Sequence, residues 1–211
     1  MAVKKVSKKK KAWDLSEVKG VKVTTPKFVT AFPKLFKPEA YQEGSKPAYS
    51  CVAIFQADQD IKELKSAIIR AKKEAFGPDK TKWPDISTPI KNGDEMEGYA
   101  GFEGNQFINM KTYNKPLIID RSKEKIEDES EIYPGVIGRA IVVMKAVESG
   151  GKYYISCYLQ GFQKVEDGES LAGGASASDF EDLEDDEDLD EDSEDSDDDD
   201  DSDDDSDDDD E

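Results

Sequence analysis

Between Lys152 and Lys164 every second residue belongs to one series: Lys152, Tyr154, Ser156, Tyr158, Gln160, Phe162 and Lys164. Rings alternate there with hydrogen-bonding side chains, and a lysine stands at each end. Alternate residues of a β-strand share one face. A face of this kind suits unpaired nucleic-acid bases. Rings stack on bases for about 1–3 kcal/mol each, whatever the sequence, and cations neutralise phosphates and release counterions. The same rings can also be cross-strand packing partners in an ordinary sheet. A second segment repeats the mixture with Tyr99, Phe102, Phe107, Lys111, Tyr113, Lys115 and Arg121. Core packing is the competing role there, above all for Phe107 and Ile108. Lys111, Tyr113 and Lys115 flank Asn114 and Pro116, where a strand end is exposed. Trp83, beside Lys80 and Lys82 in a Pro-rich stretch, is either a lid over a small core or a stacking platform. The candidate stacking residues are Phe107, Tyr113, Tyr154, Tyr158 and Trp83. The candidate phosphate contacts are Lys111, Lys115, Arg121, Arg139, Lys145 and Lys152.

Other chemistries are excluded or weak. The chain has no histidine, which removes Ser-His-Asp and Cys-His nucleophile pairs and histidine-ligated zinc enzymes. Two cysteines, Cys51 and Cys157, build neither a zinc site nor a disulfide framework, and read as small buried side chains. A carboxylate-dependent nuclease can lack histidine. Glu97, Glu103 and Asp120 could be assembled into one, but no motif underlies their spacing. The DSDDDSDDDD run lacks the Gly and Glu offsets of a calcium loop. No cofactor, metal site or enzymatic activity is expected.

The 211 residues carry 50 acids and 29 bases, a net charge of -21. Residues 179–211 hold 26 of the acids and no base; the rest of the chain keeps 24 acids against all 29 bases. Lys4, Lys5 and Lys8 to Lys11 form a basic arm. The charge therefore describes a near-neutral body between a cationic head and an anionic tail. The tail's last apolar side chains are Phe180, Leu183 and Leu189, too few to fold against such repulsion. The expected organisation is a disordered basic arm (1–13), one domain (14–170), a Gly/Ala/Ser linker (171–178) and a disordered acidic tail (179–211). Nothing approaches 18 consecutive apolar residues, and no signal-peptide pattern opens the chain, so a cytoplasmic protein without a membrane span is expected.

The body must supply the elements that hold the candidate residues. Residues 17–30 and 48–56 are rich in β-formers and predict two strands, with a loop marked by Pro33, Pro38 and Gly44 between them. Asp60 and Glu63 form a capping-box pattern. Ile61, Leu64, Ile68, Ala71 and Ala75 then make one apolar helical stripe, ended by Gly77-Pro78. Residues 78–104 read as loop. Residues 105–113 and 116–121 are short strands. Residues 135–148 and 152–165 form a long hairpin across Ser149-Gly150-Gly151. In its first arm Val136, Ala140, Val142, Met144 and Ala146 share one face, and in its second Ile155, Cys157, Leu159 and Val165 share one. These elements predict a mainly β domain, an OB-fold-like five-stranded barrel with one helix after the second strand, since closure removes sheet edges.

The ordered set GDEMEGYAG, FINMKTYNKPLIIDR, EIYPGVIGRAIVVM and YLQGFQKVEDGESLAGG, with KFVTAFPKLFKP before it, resembles the tailed-phage single-stranded DNA-binding protein family over roughly residues 18–175. The resemblance implies an OB-fold core. It also implies sequence-independent binding of single-stranded DNA in phage replication, recombination and repair, in the cytoplasm of a bacterial host. It further implies an acidic tail that contacts phage or host replication proteins. Relatives' tails commonly end in an aromatic residue, whereas this chain ends Asp-Asp-Asp-Asp-Glu. The tail's charge density is of the order of a nucleic-acid strand's, so it can compete with DNA for the protein's own cations at a tethered concentration of order millimolar. The alternative is an acidic-tailed chaperone or nucleic-acid mimic that binds basic proteins. Homodimerisation is left open.

Overall fold

The computed structural model describes residues 13–171. The basic arm to residue 12, the linker after Leu171 and the acidic tail lie outside the described residues.

The expected first strand is two. Strand β1 spans Val21–Thr24 and β2 spans Phe28–Glu39. Between them, the buried Thr25 donates its backbone N–H to the Ala140 carbonyl (2.8 Å) and its hydroxyl accepts the Ala140 N–H (2.9 Å). The segment after Ala31, expected as loop, continues β2. Its ladder to β3 (Ala48–Phe55) is irregular: Ala31 faces Val52, Lys34 faces Ser50 and Glu39 faces Ala48. Pro33 and Pro38 fall in those irregular stretches, where a missing N–H costs no regular ladder bond.

The helix α1 spans Lys62–Phe76 and so follows the third strand in chain order. The expected capping box is not formed: Ile61 is the N-cap, without a side-chain cap, and the Asp60 carboxylate accepts the Lys62 N–H at 2.9 Å instead; Gly77, at φ +82°, ends the helix. Leu64, Ala67, Ile68 and Ala71 are buried and enter the same core as the barrel interior. Short strands β4 (Ile86–Ser87) and β5 (Ile90–Asn92) interrupt the expected loop. Then come β6 (Gln106–Thr112), β7 (Leu117–Ile119), β8 (Ile137–Ser149) and β9 (Lys152–Glu166).

Five strands close on themselves in the order β2-β3-β6-β9-β8-β2. The β6–β9 contact is parallel, through Lys111 and Tyr158, and the other four are antiparallel. This is a small barrel of OB type. The remaining strands decorate it: β1 on β8, β5 on β6, and β4 and β7 on β9.

The hairpin faces are as read along β8 and along β9 up to Leu159: Ala140, Val142, Met144, Ala146, Ile155, Cys157 and Leu159 are all buried. Beyond Leu159 the alternation breaks. Ile141 pairs with Gly161 and Val142 with Leu159, which leaves Gln160 as an extra residue. Parity inverts after such a bulge. Phe162, read as part of the polar face, is therefore 1 % exposed and packs edge-on to Phe28 at 6.1 Å. Gly138 makes room for that ring, since a Cβ there would stand 2.5 Å from Phe162 Cζ.

Candidate nucleic-acid interface

The register assembles one lateral row on the outside of the barrel. Lys34 faces Ser50, Ser50 faces Lys111, Lys111 faces Tyr158, Tyr158 faces Val143 and Val143 faces Lys22. Strand order places Lys111 and Tyr158 side by side although they are far apart in sequence. Lys145 and Ser156 form the next rung of the hairpin, and Val147 and Tyr154 the one after. Tyr154, Ser156 and Tyr158 are half-buried, with their partly exposed side chains opposite the buried Ile155 and Cys157. Lys111 is exposed between the buried Met110 and Thr112.

Tyr113 stands at the end of β6, 49 % exposed. Lys46, from the β2–β3 connection, holds its ammonium 4.7 Å from the Tyr113 ring centre, within range of a cation–π contact. From Phe107 to Tyr113 the strand covers about 20 Å.

The six candidate phosphate contacts do not form one cluster. Lys111 and Lys145 border Tyr158. Lys115 follows Tyr113 in the turn after β6, Lys152 begins β9 at the hairpin tip, and Arg139 lies further along β8 opposite Gln163. Arg121 is exposed in the turn after β7. None of the six is within 4.0 Å of a carboxylate among the described residues. By contrast Lys27, Lys37 and Lys164 are each held by acids at 2.7–3.1 Å. Lys115 has a longer-range partner: Glu127 is held below the ordinary carboxylate range by its hydrogen bond to Lys125 first, with Lys115 contributing least.

Two candidate stacking residues are placed elsewhere. Phe107 is 3 % exposed, edge-on to Phe102 at 5.2 Å in a second core beneath the 93–105 loop. Its side chain points outward from β6, but that loop covers it, so no base reaches its ring. Trp83 donates its indole N–H to the Gly77 carbonyl at 2.9 Å and packs on the main core. This packing favours the lid of its two roles, with the ring half-buried.

The sequence reading omitted Lys22 and Lys46 from the site. Lys22 alternates with buried Val23 and is visibly outward, but its neighbour Val143 comes from strand pairing. Lys46 lies in a loop, where no period exists to place it. Phe32 was also omitted; its exposed ring meets that of Tyr99, named in the 99–121 segment, edge-on at 5.4 Å, and Phe32 has φ +46°.

The thiols of Cys51 and Cys157 are both buried. Burial raises Cys51 strongly and pushes Cys157 up to about 12. Glu97, Glu103 and Asp120 do not gather: among the described residues no three His, Cys, Asp or Glu side chains could hold a metal ion.

Residues 21–192 match the family model described as the single-stranded DNA-binding protein of Enterobacter phage Enc34. Protein p50 of Acyrthosiphon pisum secondary endosymbiont phage 1 is 29% identical over 166 residues, covering 72% of this chain and 88% of that protein. Among solved structures, the bacteriophage Enc34 single-stranded DNA-binding protein in complex with single-stranded DNA is similar at a TM-score of 0.63 and 22% identity, covering 72% of this chain and 89% of that one. The single-stranded DNA-binding protein gp2.5 of bacteriophage T7 is similar at 0.53 and 13% identity, covering 76% and 92%. At these identities the structural likeness concerns the fold.

Proposed function

The chain belongs to the family of the Enterobacter phage Enc34 single-stranded DNA-binding protein, and from that premise we propose that it binds single-stranded DNA without regard to sequence. The observation that carries this reading is the outer row in which Lys111 and Tyr158 are neighbours, flanked by Lys145, Tyr154, Tyr113 and Lys46. Rings there meet bases, and cations without carboxylate partners meet phosphates. OB-type barrels bind oligonucleotides on this kind of outer face, with help from the loops at its edges. Lys46 stands in one such loop, and Lys152 begins β9 at the edge of another.

In this reading the protein is a binding module and not an enzyme. It protects phage single strands during replication, recombination and repair in the host cytoplasm. The acidic run from residue 179 acts as a tethered polyanion that competes with DNA for the body's cations and, when displaced, contacts replication proteins.

Competition between labelled oligo-dT and an equal length of duplex tests the reading. Preference for the single strand is expected. Equal binding to both would favour a carrier of an acidic tail for basic proteins. Removing residues 179–211 should raise affinity at low salt and flatten part of its salt dependence. Unchanged affinity would rule out competition by the tail.

A further inference from the structure

A second feature of the same outer surface lies beyond Tyr158. Thr24, Ile141, Gly161 and Leu117 stand in one row across β1, β8, β9 and β7, and with Arg139 and Gln163 they line a shallow groove of about 110 Å³. Leu117 is 57 % exposed and Ile141 is 37 % exposed, so two aliphatic walls face solvent. Gly161 keeps the floor open: a Cβ there would enter the groove 3.7 Å from Leu117 Cβ and 3.3 Å from the Leu117 carbonyl oxygen. The groove exists because Gln160 is bulged and turns Phe162 inward beneath it.

Three cations stand around the groove. Arg139 lines it, Lys22 is two residues from Thr24 on the same face of β1, and Arg121 follows Asp120, whose carbonyl accepts the Gln163 side-chain N–H at 3.0 Å. None of these three cations has a carboxylate within 4.0 Å among the described residues. The nearby acids are engaged: Asp120 accepts the Glu124 N–H at 2.8 Å, and Glu166 pairs with Lys27 at 3.1 Å. Aliphatic walls with free cations at their ends fit a ligand that is apolar in its flat parts and anionic along its backbone.

We propose that this groove is a further nucleotide subsite, in which one base lies between Leu117 and Ile141 and an adjoining phosphate meets Arg139. The inference rests on the single-strand reading above and extends the strand's path along β9, from Tyr154 and Tyr158 across Gly161. A short oligonucleotide is accommodated on the tyrosines alone; a longer one reaches the groove.

The test is affinity against length with the full chain, using oligo-dT of about 4 and about 12 nucleotides, which fall in the range one OB fold covers. Leu117→Ser and Arg139→Ala change exposed side chains, and unchanged thermal melting shows that the fold persists. Leu117→Ser should weaken the longer oligonucleotide roughly five- to tenfold and leave the shorter one unchanged, as expected for the loss of one base contact. Arg139→Ala should lower the salt slope for the longer oligonucleotide by about one. Affinities unchanged from wild type at both lengths in both variants would overturn the subsite, and so would equal weakening at both lengths. A wild-type protein that fails to prefer single strands would instead overturn the function on which the subsite rests.

Discussion

Tyr158 and Phe107 separate two uses of the same side-chain type. Both rings leave the outside of a barrel strand, but Tyr158 keeps access to solvent while the 93–105 loop roofs Phe107. Tyr158→Ala should therefore lower oligo-dT affinity about tenfold with little change in melting, because it removes one stacking partner. Phe107→Ala should cost about 3 kcal/mol in urea unfolding, as for other buried Phe truncations, and leave the folded protein's affinity intact. The opposite pattern would exchange the two roles. The cysteines provide a chemical check on the core. Cys157 is pushed up to about 12 and Cys51 is raised further by burial, so neither is a thiolate near neutral pH. Iodoacetamide should spare both in the native protein and label both in denaturant; rapid native labelling would contradict their placement. At this scale the sequence showed residue type and parity but not what lies above each face. Nothing local to Phe107 announces a roof whose anchor, Phe102, belongs to another segment. Trp83 is ambiguous for the same reason: nothing local announces that its indole N–H meets the Gly77 carbonyl at the end of the helix.

Elements that follow one period were legible, and those that break it were not. The helix follows from the Leu64, Ile68 and Ala71 spacing, and β8 from thirteen residues of alternation. The bulge at Gln160 carries no sequence mark of its own, yet it decides where Phe162 goes. Likewise β2 runs through Pro33 and Pro38, which read as loop, because its irregular register with β3 tolerates their missing N–H groups. The bulge gives a sharp prediction. Deleting Gln160 makes the Val142–Leu159 and Ile141–Gly161 pairs consecutive, so the ladder becomes regular and Phe162 keeps its inward face. The deletion should therefore lower the melting temperature by less than Phe162→Ala, which removes the buried ring and should cost about 3 kcal/mol. A deletion that destabilises as much as Phe162→Ala would show that the placement of Phe162 does not follow from this register.

The whole molecule resolves a contradiction in its composition. A chain of net charge -21 looks unsuited to a polyanion, but 26 of its acids fall in residues 179–211. What remains is a closed barrel with unpaired cations and rings on its outside. The closure itself was inferable from strand count and the disadvantage of open edges. The pairing that matters most, Lys111 beside Tyr158, was not, because it joins strands by a parallel contact between distant segments. Hence both residues could be listed as candidates without being seen as neighbours. Photo-crosslinking of oligo-dT to the full chain, followed by mapping of the modified peptides, tests that juxtaposition most directly. The account predicts crosslinks in β9 at Tyr154 or Tyr158 and in the β6 end at Tyr113, with none at Phe107 or Trp83. Crosslinks confined to the helix face or to Trp83, with Tyr113, Tyr154 and Tyr158 unmodified, would contradict it.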